Sequence, residues 1–198
     1  MIDWALATLP LEGEPRSGDL HVVKEFPGGT LIGVVDGLGH GVEAGAAADE
    51  AVAELEAHPA DDVVSLMTKC HERLRGMRGA AITLVSIRHR DLTMSSLAVG
   101  NVEAVVVRNE PTGASSHESA VQRGGVVGFK LPRLQASTTR LSPGDTLILA
   151  TDGIHPGFLQ GIAVHEPIQR SAERILQDFR RTNDDALVLV ARVQNGRP

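Results

Sequence analysis

The sequence predicts an α+β fold in which antiparallel sheets are covered by helices, on three observations. Short apolar, strand-like runs are linked by hairpin-like turns rather than by single helices. The helical stretches come in blocks, two together in the first half and one near the end. The composition is 42% apolar yet holds no Tyr, four Phe and one Trp, so the core is aliphatic, and its Val and Ile favour sheet.

In chain order, strands are predicted at His21–Phe26 and Thr30–Asp36, joined across the turn Pro27-Gly28-Gly29. Helical spacing follows from Gly41 to His58, with Val42, Ala46, Val52 and Leu55 on one side. Pro59 separates this from a second helix, Asp61–Arg75, whose Val63, Met67, Cys70 and Leu74 share a face and for which Asp61 is the expected N-cap. Strands are then expected at Ala81–Arg88, Thr93–Val99 and Val102–Arg108. A loop with at most one short edge strand covers Asn109–Gly125. Ser137–Leu141 and Thr146–Thr151 read as a strand pair closed by Ser142-Pro143-Gly144-Asp145, a strong turn sequence. A helix at Pro167–Arg181 presents Ile168, Ala172, Ile175 and Phe179, and Ala186–Val193 reads as a closing strand. One domain, residues 1–198, accounts for every element.

The net charge is −6, with no run of Lys or Arg longer than two. Such a surface repels phosphate backbones, so nucleic acid is not an expected partner. The N-terminus lacks a basic flank before its short apolar run, and no stretch approaches the ~20 apolar residues that span a membrane. With a single cysteine, Cys70, no internal disulfide is available, and a cytoplasmic location is expected.

Four acidic positions stand at strand ends or in the adjoining turns: Asp19 in Ser17-Gly18-Asp19, Asp36 in Asp36-Gly37-Leu38-Gly39-His40-Gly41, Asp152 in Thr151-Asp152-Gly153, and the pair Asp184-Asp185. A carboxylate at a strand terminus is positioned by its sheet, and a following glycine brings the backbone carbonyl close to whatever the carboxylate binds. Several carboxylates meeting at one end of a sheet repel one another unless a cation lies between them. Oxygen donors of this kind select Mg²⁺ or Mn²⁺ over zinc, and two such ions about 4 Å apart suit in-line attack of an activated water on a phosphoryl group.

The ordered set Asp36-Gly37-Leu38-Gly39-His40-Gly41, Thr151-Asp152-Gly153 and Asp184-Asp185 resembles the signature of the PPM metal-dependent serine/threonine phosphatases, in the bacterial branch acting in sigma-factor regulation. Gly18-Asp19, Ile82-Thr83-Leu84, Gly100-Asn101 and Gly124-Gly125 add weaker matches. The resemblance implies a four-layer α-β-β-α sandwich of two antiparallel sheets flanked by helices. It also implies two Mn²⁺ or Mg²⁺ ions. Asp36, a catalytic residue with Asp152, would bridge both ions, and Gly37 would offer its carbonyl to one. Asp152 and Asp184 would hold the other, with Asp185 the alternative to Asp184, and Asp19 would act through a water or on a third ion. The implied substrate is a phosphorylated protein. The short, free-standing form is similar to family members that act on STAS-domain scaffold proteins of the stressosome in a general stress pathway. The competing reading is a non-catalytic phosphoprotein-binding module on the same fold, whose mark would be loss of these aspartates.

Other positions have plainer readings. His40 hydrogen-bonds to fix its glycine-rich loop or acts as a general acid. Arg16 is a solvated arginine or a phosphate contact. Cys70 is core. His21, His58, His89, His117, His155 and His165 show no ligand spacing. The segments Arg108–Arg123 and Ile154–His165 flank the acids and are candidates for partner selection.

Overall fold

The central strands carry apolar residues at nearly every position, so both of their faces have to be buried. A computed structural model, which describes residues 2–109, 116–161 and 166–194, shows how. One sheet has the order β1 (Ile2–Leu9), β11 (Ala186–Val193), β10 (Thr146–Ala150), β6 (Glu103–Val107), β7 (His117–Ser119). The other runs β2 (Asp19–Phe26), β3 (Gly29–Gly37), β4 (Ala80–Arg88), β5 (Thr93–Val99), β8 (Gln122–Arg123), with β9 (Ser137–Arg140) also on β5. Two helices, α1 (Gly41–Ala57) and α2 (Val63–Arg73), cover the second sheet, and α3 (Ile168–Phe179) covers the first.

Alternation along each strand sorts side chains into three buried layers. Leu31 and Val35 of β3, with Ile82 and Leu84 of β4, meet the helices α1 and α2. Ile32, Val34, Val85 and Ile87 point the other way, onto Leu147, Leu149, Leu187 and Leu189 of the opposite sheet. Ile148, Val188 and Val190 pack beneath α3 against Ala172 and Ile175. This is the expected α-β-β-α sandwich, antiparallel except for a two-residue parallel pairing of β5 with β8.

Five local expectations are corrected. The strand Ile2–Leu9 was not foreseen. It pairs with β11 over eight residues, but it is an edge strand whose inward positions include Ala5 and Ala7, and alanine carries little strand signal. The buried face of α1 is Ala44, Ala47, Ala48, Ala51 and Leu55, while Val42 is exposed. The small residues let the helix sit close on the sheet, closer than a valine face would allow. Ser142–Asp145 does not close a hairpin: β9 pairs with β5 and β10 with β6 and β11, so the turn carries the chain from one sheet to the other. The loop after β6 holds two short strands, β7 and β8, rather than one. The cap of α2 is Asp62, not Asp61. Its carboxylate accepts from the amides of Val64 and Ser65, each at 3.0 Å, and from the Ser65 hydroxyl at 2.6 Å. Asp62→Ala is accordingly expected to lower unfolding stability by about 1 kcal/mol, read from denaturant midpoints with the slope unchanged.

No described helix is long and apolar enough to cross a membrane. Residues 110–115 and 162–165, parts of the two segments considered for partner selection, lie outside the described residues, as does His165.

Candidate metal centre

Antiparallel pairing brings the start of β2 beside the end of β3, and the end of β10 beside the start of β11. All four termini lie at the same end of the sandwich. Asp19 and Asp36 are directly paired across β2 and β3, so their side chains leave the sheet on one face. That face is the one that carries Ile32 and Val34 toward the opposite sheet. From the opposite sheet, Thr151 donates its hydroxyl to Asp19 Oδ2 at 2.7 Å and accepts the Leu187 amide at 2.9 Å. One threonine thus ties the two sheets together at the mouth where the acids meet.

Burial there is costly for a charge. Asp36 is pushed up to about 9, first by burial and then by repulsion from Asp19, Asp152, Asp184 and Asp185. Asp19, only 4% exposed, is pushed up to about 7 by burial, opposed by its Thr151 hydrogen bond and reinforced by Asp185, Asp184 and Asp152. Asp184 is raised by burial and then by Asp152. Acids separated by more than a hundred residues in sequence therefore act on one another in space. Such a donor set fits divalent cations, since a doubly charged ion removes the repulsion and replaces the lost solvation together.

The acids meet as neighbours rather than as a closed cage. Among the described residues, no three Asp, Glu, His or Cys side chains form a preformed site for a single ion. Mg²⁺ tolerates this, because it dehydrates reluctantly and is typically held by one or two carboxylates with water completing the octahedron.

The two acids of the final pair have different surroundings. Asp185, 2% exposed, accepts the Leu11 amide on Oδ1 and the Gly18 amide on Oδ2, both at 2.7 Å. It anchors both ends of the loop that joins β1 to β2 at the mouth. Among the described residues Asp184 accepts only the adjacent Asp185 amide, at 2.9 Å, and it is less buried. Asn101 donates its side-chain amide to Asp152 Oδ2 at 2.6 Å.

The glycines follow from packing. A Cβ on Gly37 would strike the Ala44 carbonyl of α1, and one on Gly153 would strike the Asp185 carbonyl. The Gly37 amide donates to the Gly18 carbonyl at 3.0 Å, which fixes the turn next to Asp19. His40 pairs through Nδ1 with Glu14, and Arg16 is engaged by Asp49 at 2.8 Å and the Gly45 carbonyl at 3.2 Å, along α1. Cys70 is core, its thiol pushed up to about 12 chiefly by burial.

The parts that sequence reasoning left without a role are Thr151, Asn101 and Glu14, and it read Asp185 only as the alternative metal ligand, without its bonds to the Leu11 and Gly18 amides. Thr151 had a signal: it shares strand parity with Leu147 and Leu149, which point between the sheets. Asp185 shares parity with Leu187 and Leu189 in the same way. Glu14 and Asn101 lie in turns, where no periodicity reports direction.

A family model for stage II sporulation protein E matches residues 27–194. The phosphoserine phosphatase RsbX of Bacillus subtilis (strain 168) is 25% identical over 144 residues, 73% of this chain and 70% of RsbX. A chain from a structure of the bacterial stressosome, a modular system adapted to control secondary messenger signalling, is 28% identical, with a TM-score of 0.87 over 97% of this chain and 100% of that one. RsbX crystallised in complex with magnesium gives a TM-score of 0.86 at 20% identity, over 98% of this chain and 96% of that one. The chain belongs to the stage II sporulation protein E family of PP2C-type serine/threonine phosphatases.

Proposed function

We propose that this chain, as a single catalytic domain, removes phosphate from serine or threonine of a protein substrate, using Mn²⁺ or Mg²⁺ held by Asp36, Asp152, Asp184 and the Gly37 carbonyl. The observation that carries the reading is the convergence of four aspartates at one mouth: Asp19 and Asp36 are paired across β2 and β3, and Asp152 and Asp184 lie close enough to act on them. In this reading Asp36 would serve both ions, the Gly37 carbonyl would contribute to one, and Asp152 and Asp184 would hold the other. Asp19 would act through water or on a third ion. Asp184 is preferred to Asp185 because both Asp185 oxygens already serve backbone amides.

When bound, the cations would supply Lewis-acid charge to the phosphoryl group and activate the attacking water. The remaining work falls to the chain. Thr151 holds Asp19 by its hydroxyl, Asn101 orients Asp152, and Asp185 fixes the β1–β2 loop that leads into Asp19. Without cations the acidic mouth repels a phosphate dianion, so substrate binding is conditional on metal.

The substrate we propose is a serine- or threonine-phosphorylated STAS-domain scaffold protein of a stressosome. The likeness to RsbX and to a stressosome chain supports it. Incubating the chain with that phosphorylated scaffold and Mn²⁺ is expected to release phosphate, and excess chelator to stop release. Turnover that persists in chelator would contradict the mechanism.

A further inference from the structure

Four large apolar side chains are exposed along one flank of the acidic mouth: Leu38, Val42, Met77 and Phe129. The loops that carry them are fastened to one another. The Leu38 amide donates to the Gly79 carbonyl at 3.0 Å. Arg78 packs over Gly39 and pairs with Glu43 at 2.6 Å, beside Val42. Met77 borders a hollow with Glu43, Ala46 and Arg78.

Phe129 is 83% exposed, yet the turn beneath it is held on all sides. The Lys130 amide donates to the Val126 carbonyl at 2.8 Å, and the Gly128 amide donates to His71 Nδ1 at 2.9 Å. Val127 pairs with Ala80 at the start of β4. A phenylalanine held out by a pinned turn is a fixed apolar surface, ordered before any partner arrives.

The same flank carries an excess of basic residues on an acidic protein, five against the paired acids Glu43, Glu50 and Glu72. Residues 73–78 and 130–133 contain Arg73, Arg75, Arg78, Lys130 and Arg133 and no acid, in a chain of net charge −6. Among the described residues Arg73, Arg75 and Arg78 are ion-paired, whereas Lys130 and Arg133 have no ion-pair partner.

We infer that this flank docks the phosphoprotein substrate. Phe129, Met77, Val42 and Leu38 receive an apolar patch beside the phosphorylated residue, and Lys130 and Arg133 meet an acidic border around that patch. The inference rests on the phosphatase reading and goes beyond it by naming the surface that selects the protein. Two features favour this occupant. The flank is continuous with the mouth, since Leu38 follows Gly37 directly, so a protein that delivers its phosphate to the acids has to cover it. A second copy of the chain pairing through this face would set the basic residues against themselves, and like charges across an interface are disfavoured.

The test compares wild type, Phe129→Asp and Lys130→Glu on two substrates, serine-phosphorylated STAS-domain scaffold and p-nitrophenyl phosphate. Both positions are exposed, so the fold is retained. The expected result is a fall of about 10- to 100-fold in kcat/KM on the phosphoprotein, mostly in KM, with the aryl phosphate unchanged within about twofold. Equal kinetics of all three proteins on the phosphoprotein overturn the docking surface while leaving the phosphatase reading intact. So does an equal loss on both substrates, which would mean the variants disturb the site itself. A concentration-dependent dimer that Phe129→Asp dissolves, seen by sedimentation, assigns the flank to self-association instead. Wild type active only on the aryl phosphate overturns both the scaffold substrate and its docking. Wild type inactive on both substrates with Mn²⁺ overturns the phosphatase reading itself.

Discussion

Asp36→Asn is expected to lower metal-dependent phosphate release by on the order of 10³-fold, because one carboxylate facing Asp19, Asp152 and Asp184 serves both proposed ions. The same substitution is expected to stabilise the metal-free protein at alkaline pH. Asp36 and Asp19 have folded-state values of about 9 and about 7 against an ordinary 3.8, so the folded chain keeps protons that the unfolded chain releases. Their stabilising contribution is complete below the ordinary carboxylate value and is lost as pH rises through the folded values. Metal-free wild type should therefore melt at progressively lower temperature between pH 6 and pH 9. The part between about 7 and about 9 belongs to Asp36, and Asp36→Asn should flatten it. Saturating Mg²⁺ should remove most of the slope, since bound cations favour both ionised carboxylates. Thermal melts of wild type and variant, with and without Mg²⁺, read all of these effects. A wild-type melting temperature that rises over that pH range would refute the electrostatic picture.

Asp185→Ala is expected to be the most damaging of the site substitutions to the fold. It strands the buried amide of Gly18 and the part-buried amide of Leu11, each worth up to about 1–3 kcal/mol when left unsatisfied, or at most about 2–6 kcal/mol together. For a domain of this size the melting temperature should fall by roughly 5–20 °C. Activity should fall as well, because Gly18 adjoins Asp19 and its carbonyl receives the Gly37 amide. Asp185→Asn keeps one acceptor oxygen and should recover part of the stability. Chemical denaturation of the three proteins measures the order wild type, Asn, Ala. An alanine variant as stable as wild type would show that Asp185 does not anchor the mouth.

The sandwich was legible where side chains alternate into well-filled layers. Ala186–Val193 and Thr93–Val99 have the bounds that their apolar runs indicated. It was less legible where close approach outweighs hydrophobicity. Helix α1 turns its alanines inward because Gly37 and Ala44 touch through their backbones, and this leaves Val42 outside on the flank that we assign to docking. The crossing of Ser142–Asp145 between sheets was hidden for a related reason. A strong turn sequence reports a change of direction but not which strand comes next, and here buried Asp145 receives Arg108 at 2.8 Å and the amides of Asn109 and Ser142 at 3.0 and 2.9 Å.

The candidate site was legible as motifs in order, since strand, Asp and Gly recur at Asp36 and Asp152. No periodicity could say that Asp19 and Asp36 would be paired in register, or that Thr151 would reach across to hold Asp19. Those facts depend on which strands become neighbours, and that is settled by the whole sandwich rather than by any local stretch.

Manganese binding followed by electron paramagnetic resonance asks most directly whether these aspartates collect cations. Titrated with Mn²⁺ near pH 8, wild-type protein should withdraw about two equivalents from the free-ion signal, and Asp36→Asn should lose most of that uptake while keeping its fold. Uptake by Asp36→Asn equal to that of wild type, or no uptake by either, would contradict a shared centre built on Asp36.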